Sequence, residues 1–193
     1  MSGPVTIDTS SLMIGLAQVR VGASATNIAF TAPVLSASDS VGAMADVKFV
    51  GNTDWYKHEA GFPLLEDYTV PIREGARIEC GVEEGNPFNF ALAYGIDPTG
   101  GTYANTHSGE VVLGGRTAPA YVRCEVTYTY PNGENYMYII GPRAQVTANI
   151  EMEFQKESNA SVPIMFEFKT ADSNVSGGSA VWDNRPLGRI FWS

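Results

Sequence analysis

The sequence predicts a mainly β fold, a β-sandwich or partial barrel with one short flanking α-helix, and three observations carry that prediction. Several stretches alternate apolar and polar residues with a period of two, the pattern of strands with one buried face. Twenty Gly and 11 Pro among 193 residues punctuate the chain with turns and favour short elements over long helices. Only one segment combines helical spacing with a cap at each end. At 193 residues the chain is read as a single domain, 1–193, large enough to bury a core without metal or disulfides.

The elements follow in order. Residues 22–46, GASATNIAFTAPVLSASDSVGAMAD, are mostly Ala, Ser, Gly and Thr, with Asp39 and Asp46 the only charges. This long small-residue loop has too little bulk for a core, so it is expected to be mobile alone and ordered against a partner. Strands are expected over 46–51 and 68–84, the second placing Ile72, Ala76, Ile78, Cys80 and Val82 on one parity and Arg73, Arg77, Glu79 and Glu83 on the other. Pro71 and Gly75 mark an edge, bend or bulge there. The helix is expected over 87–94: Asn86 as N-cap, Pro87 in the first turn, Phe88, Ala91 and Leu92 on one face, and Gly95 as the stop.

Further on, 120–130 puts Val122, Cys124, Val126, Tyr128 and Tyr130 opposite Tyr121, Arg123, Glu125, Thr127 and Thr129, so the second set reads as the solvent face. Pro131-Asn132-Gly133 is a hairpin turn, with the run from 135 as the return strand. Residues 145–155 alternate most regularly, Val146, Ala148, Ile150, Met152 and Phe154 against Thr147, Asn149, Glu151, Glu153 and Gln155. Residues 162–169 close the series, and the C-terminal segment 170–193 ends in aromatic residues that pack on this sheet or on a neighbour's.

Composition excludes several functions. Four Lys and eight Arg lie scattered in a chain of net charge −9, without the basic cluster that phosphate neutralisation requires. No run of about 18 apolar residues exists to span a bilayer, and MSGPVTIDTSSLMIG lacks the basic start and apolar core of a signal peptide. A cytoplasmic origin is therefore expected, with Cys80 and Cys124 as free core thiols. The two histidines, His58 and His107, fit no metal-spaced motif, and the sequence holds no GxSxG, GxGxxG or GxxxxGK. The pair His107-Ser108 lacks a third orienting group, and Glu151 and Glu153 read as a solvated stripe rather than an acid–base pair. No enzyme, cofactor or metal site is expected.

Charge is uneven. Eight acids face three bases between Asp54 and Glu84, and Glu151, Glu153, Glu157 and Glu167 face only Lys156 between 151 and 167. If such strands were adjacent and subunits closed into a ring, an acidic face would line a channel.

In element order and character the chain resembles the tail tube (major tail) proteins of long-tailed bacteriophages, and through them the inner tubes of contractile injection machines and gene transfer agents. The likeness runs from IDTSSLMIGLAQVRVG and the small-residue loop through TVPIREGARIECGVEE into NPFNFALAYGID, then a late hairpin and EFKTADSNVSGG and DNRPLGRIF near the end. It covers roughly residues 5–190 and is most specific over 70–96.

The resemblance implies a structural virion protein, made in the host bacterial cytoplasm and residing in the tail. Homo-hexameric rings would stack into a hollow tube that meets a tape-measure protein, a tail-tip initiator and a tail terminator and conducts DNA without binding it specifically. It also implies a lumen lined by Glu79, Glu83, Thr147, Asn149, Glu151, Glu153 and Gln155, and inter-ring contacts made by loop 22–46 through Phe30, Val34 and Leu35. The alternatives are another virion component, such as a head-decoration protein, or a β-sandwich glycan-binding module.

Overall fold

A computed structural model describes residues 13–193, except Leu16, Leu64, Thr102, 115–117, Ala148 and 155–158. The chain is mainly β. The described residues form seven strands, β1 (Gln18–Ala23), β2 (Met44–Ala60), β3 (Leu65–Val82), β4 (Val122–Thr129), β5 (Tyr136–Val146), β6 (Val162–Phe168) and β7 (Arg189–Trp192). They form one antiparallel sheet of order β1-β4-β5-β6-β3-β2, with β7 also on β5. The sheet is open, and β1 and β2 end it on opposite sides.

β5 joins the two halves of the sheet. Its residues Met137–Ile140 pair with β7, and Ala144–Val146 pair with β6, so β7 and β6 succeed each other along one side of the strand. Its other side takes β4. The main core gathers Val19 and Val21 of β1, Ile78, Cys80 and Val82 of β3, Val122, Cys124 and Val126 of β4, and Val162, Ile164 and Phe166 of β6.

The helix α2 (Pro87–Ala93) lies on this core with Leu92 and Ala93 buried. Asn86 caps it, its side-chain oxygen accepting from the Asn89 amide at 2.9 Å, and Pro87 opens it without wasting a donor. Gly95 follows at φ 73°, where a Cβ would also crowd the Val146 carbonyl at 3.2 Å.

Over β1, β4 and β5 the sheet is covered on its other face as well. A helical turn, α1 (Ser24–Asn27), and the residues up to Ser36 cross it, and the C-terminal segment adds Trp182, fully buried with Ile140 and Ala171. The C-terminal segment thus packs on its own sheet. Gly188 is tied to that packing: at φ 132° its position leaves the Ile140 carbonyl only 2.0 Å from where a Cβ would stand.

Three expectations need correction. The segment 22–46 is not free in the single chain: β1 runs to Ala23, β2 begins at Met44, and the residues between are held by the buried ion pair described below. The face of β4 that carries Arg123, Glu125 and Thr127 is buried, because the crossing segment takes the place of solvent. The strand expected over 145–155 ends at Val146, with one more contact from the Thr147 amide to the Met165 carbonyl. Its first part belongs instead to β5, which runs without a break from the hairpin turn.

The thiols sit where the alternation places them. Cys80 and Cys124 are free and buried. Burial, with Asp46 nearby, pushes the Cys80 thiol up to about 12, and burial also raises Cys124 well above its ordinary value. Thiolate is the reactive form. In the native protein at pH 8 neither cysteine is expected to react with an aromatic disulfide reagent, whereas urea-unfolded chain titrates both. Rapid labelling of the native protein would contradict this core.

Candidate assembly surfaces

The first surface is an arm. β6 pairs with β3 only from Arg77 to Val82, whereas β2 and β3 continue pairing out to Ala60 and Leu65. Residues 51–76 therefore form a two-stranded ribbon, about 30 Å long at 3.4 Å per residue, with no third strand among the described residues. An isolated ribbon of this kind is marginal in water.

Cross-strand register sorts the ribbon into two faces. Tyr56 opposes Val70, His58 opposes Tyr68, and Ala60 opposes Leu65. The other face carries Trp55 against Pro71, Lys57 against Thr69 and Glu59 against Glu66. Lys57 and Thr69 both bond the Glu66 carboxylate at 2.8 Å, giving that face its own polar network. The first face has an edge-on contact of His58 with Tyr68 and one polar pair, His58 with Asp67 at 2.7 Å. Tyr56 and Tyr68 are more than half exposed, as is Phe62 at the tip.

The second surface is the polar face of β2, β3, β6 and β5. Lys48 opposes Glu79, Glu79 opposes Met165, and Arg77 opposes Glu167, which in turn opposes Gln145. Glu79 pairs with Arg77 at 2.6 Å and Lys48 at 3.3 Å, and Glu167 pairs with Lys169 at 2.6 Å. Hydrogen bonding to Arg77 and Lys48 holds the Glu79 carboxyl below its ordinary 4.5, and Lys169 does the same for Glu167. This part of the sheet alternates charge; Glu79 is not a free acid of a uniformly acidic stripe.

The sign of the linkage follows. Carboxyls depressed in the fold stabilise it above their unfolded pKa, and that contribution is lost as pH falls from about 4.5 through the lower folded values. Glu66, held low by Lys57 and Thr69, belongs to the same set. A thermal-melt series from pH 7 to pH 3 is expected to stay flat to about 4.5 and then fall. The fall should be modest, because exposed pairs contribute little.

The third surface lies over β4. Arg123 and Glu125, both fully buried, pair at 2.6 Å. The Arg123 guanidinium also donates to the carbonyls of Asn27 at 2.8 Å, Phe30 at 2.7 Å and Ala32 at 2.9 Å. The Glu125 carboxylate accepts from the amides of Val34 and Leu35, both at 3.1 Å. Arg20 adds a bond to the Leu35 carbonyl and Trp182 one to the Ile28 carbonyl. Side chains of the sheet thus satisfy the backbone of a segment too poor in bulk to pack itself. Gly22 lets it approach, since a Cβ there would come within 2.5 Å of the Leu35 side chain.

The residues expected to matter are dispersed. Phe30 and Val34 are half exposed on the crossing segment, but Leu35 is buried beside Gly22 and does not offer a surface anchor. Glu79 lies on the polar sheet face, and Glu83 follows the end of β3, its amide bonded to the Ala43 carbonyl at 2.9 Å. Thr147 sits at the end of the β5 ladder, hydrogen-bonded to Glu167. Asn149, Glu151 and Glu153 are exposed on a segment outside the ladder, and Gln155 lies outside the described residues.

Sequence reasoning missed the extension of β2 beyond residue 51, and with it the arm as a unit, and the Arg123–Glu125 pair. Two opposite charges two residues apart inside an otherwise apolar strand were the available signal for the pair. Among the described residues no group of three or more His, Cys, Asp or Glu is placed to hold a metal, and no helix is long and apolar enough to cross a membrane.

Fold and surfaces together define a mainly β chain with an open antiparallel sheet and a projecting two-stranded arm. No family model matches the sequence, and no curated protein matches it. Among solved structures, a chain in the sheath–tube complex of an extracellular contractile injection system (PVC, extended state) is similar at 12% identity and a TM-score of 0.47. That alignment covers 100% of this chain and 99% of the other.

Proposed function

We propose that the chain is a structural subunit that polymerises with copies of itself, forming hexameric rings that stack into the hollow tube of a phage-type tail. It has no catalytic role. The tube conducts DNA from capsid to host cell and is built with a tape-measure protein, a tip initiator and a terminator. The polar sheet face with Glu79 and Glu83, continued by Thr147, Asn149, Glu151 and Glu153, faces the lumen.

The observation that supports this reading is the arm. A ribbon with exposed aromatic side chains, Tyr56 and Tyr68 on one face and Trp55 on the other, uncovered among the described residues and of little intrinsic stability, is suited to gain its partner from another subunit. An open sheet whose long β2 edge is unpaired among the described residues adds a second adhesive element. Pairs such as Lys48–Glu79 would limit the lumen's net charge while leaving it hydrated.

Electron microscopy of the purified, concentrated protein tests the proposal. Hollow six-fold rings or tubes are the expected result. A particle that remains monomeric at high concentration, alone and when mixed with a tail-tip initiator, overturns it.

A further inference from the structure

Two features of the sheet are complementary in kind. The first is the outer edge of β2, which no strand pairs among the described residues, although its inner edge is laddered to β3 from Met44 to Ala60. The second is the segment 149–154, which continues the chain from β5. It belongs to no strand, yet its burial alternates residue by residue over 149–153, after which Phe154, on the parity of Ile150 and Met152, is exposed. Ile150 and Met152 are half-buried against the main core, while Asn149, Glu151 and Glu153 are exposed. This is the period-two pattern of a half-buried strand without a ladder partner.

We infer that residues 149–154 of one copy pair with the outer edge of β2, at Asp46–Val50, in a second copy, so that the sheet continues from subunit to subunit. The inference rests on the tube reading and specifies its ring contact.

Strand direction fits. β2 pairs antiparallel with β3, β3 with β6, and β6 with β5, so the direction of travel alternates across β2, β3, β6 and β5. A strand prolonging β5 runs opposite to β2. The next copy's β2 placed beside it would therefore make an antiparallel pair, as everywhere else in the sheet. The contact joins different surfaces of two identical chains, and heterologous contacts close into rings when the rotation permits.

Face and charge fit as well. With Ile150 and Met152 on the core side, beside Val47 and Phe49 of the incoming strand, Glu151 and Glu153 share the polar face with Lys48. The Lys48 side chain is 63% exposed in the single chain, although it already pairs with Glu79 at 3.3 Å. A neighbour's carboxylate would give it a second partner. The pairing would also satisfy backbone groups of the exposed edge that otherwise invite non-specific strand addition.

Cysteine cross-linking tests the contact. Lys48→Cys is combined in turn with Asn149→Cys, Glu151→Cys and Glu153→Cys, all exposed positions, with circular dichroism to verify folding. Directly opposed Cα atoms in an antiparallel pair stand about 4.5–5.5 Å apart, within disulfide reach. Oxidised assemblies of at least one double variant are expected to yield a covalent ladder from dimer upward, and none of the single variants should.

Hydrogen exchange supplies a readout independent of the substitutions. In the wild-type chain, amides of 46–50 and 149–154 are expected to slow at least about tenfold together on assembly. Rings or tubes that form without cross-links in any of the three variants, and without joint protection, overturn this contact while leaving the tube reading intact. A chain that forms no assemblies overturns both.

Discussion

Replacing Arg123 by alanine lowers the unfolding free energy by about 3–5 kcal/mol, the cost typical of removing one member of a buried ion pair. Both partners are fully buried, so the variant leaves the Glu125 carboxylate without its counter-charge. It also strips the donor from the carbonyls of Asn27, Phe30 and Ala32. The loss is therefore concentrated in the crossing segment as well as in the core. Burial already lowers the pKa of the guanidinium from its ordinary value, an effect opposed by Glu125, which marks how far the pair depends on mutual compensation.

A double variant, Arg123→Met with Glu125→Leu, separates the two contributions. It buries no unpaired charge, so the sheet should unfold cooperatively with a smaller loss than the single variant. The segment, deprived of its side-chain partners, should become a site of limited proteolysis between residues 24 and 36. Urea denaturation with a proteolysis time course measures both. A single-variant loss below about 1 kcal/mol, with the segment still protected, would mean that the pair does not organise it.

This pair also shows where reading the sequence stops. Alternation along 120–130 located β4 and its core-facing residues correctly, because Val122, Cys124 and Val126 do face the main core. It assigned Arg123 and Glu125 to solvent because a period of two distinguishes two faces without revealing what covers each. Their cover is distant in sequence, a segment that composition alone described as too weak to pack. The inference of mobility was sound for an unsupported loop; it failed because five hydrogen bonds to its backbone come from the Arg123 and Glu125 side chains alone.

The helix was legible since its signals are local: Asn86 and Pro87 at the start and Gly95 at the stop. The arm was not. Its β3 half from residue 68 fell within the expected strand 68–84, Ile72 included, but strand patterning requires a buried face, and along β2 beyond residue 51 the described residues offer none, so Trp55 and Tyr56 read as scattered aromatic residues. At 149–153 the opposite occurs, a strand pattern for which the described residues supply no ladder.

The double substitution Tyr56→Lys with Tyr68→Lys is expected to raise the concentration needed for tube growth about 10- to 100-fold while leaving the monomer folded. Both rings lie on the same face of the arm and are more than half exposed, so neither supports the single chain's core. Exposed substitutions of this kind usually change stability by no more than about 0.5 kcal/mol. In an assembly the same rings would be covered, and full burial of a large apolar side chain contributes about 1.5–3 kcal/mol. With about half of each ring still exposed, the two per subunit together supply about 1.5–3 kcal/mol, and each 1.4 kcal/mol is a factor of ten in association. Two added ammonium groups would oppose docking further, since each would have to be desolvated.

The opposite face provides the control. Thr69→Lys adds one such charge, half that of the double variant, beside Lys57 and Glu66 on the face with the polar network, and should shift the growth threshold far less. Sedimentation of polymer against total protein measures the threshold, with circular dichroism for the fold. Equal losses from both faces would assign the arm a general electrostatic role, and undiminished growth of the double variant would remove the aromatic face from the assembly altogether.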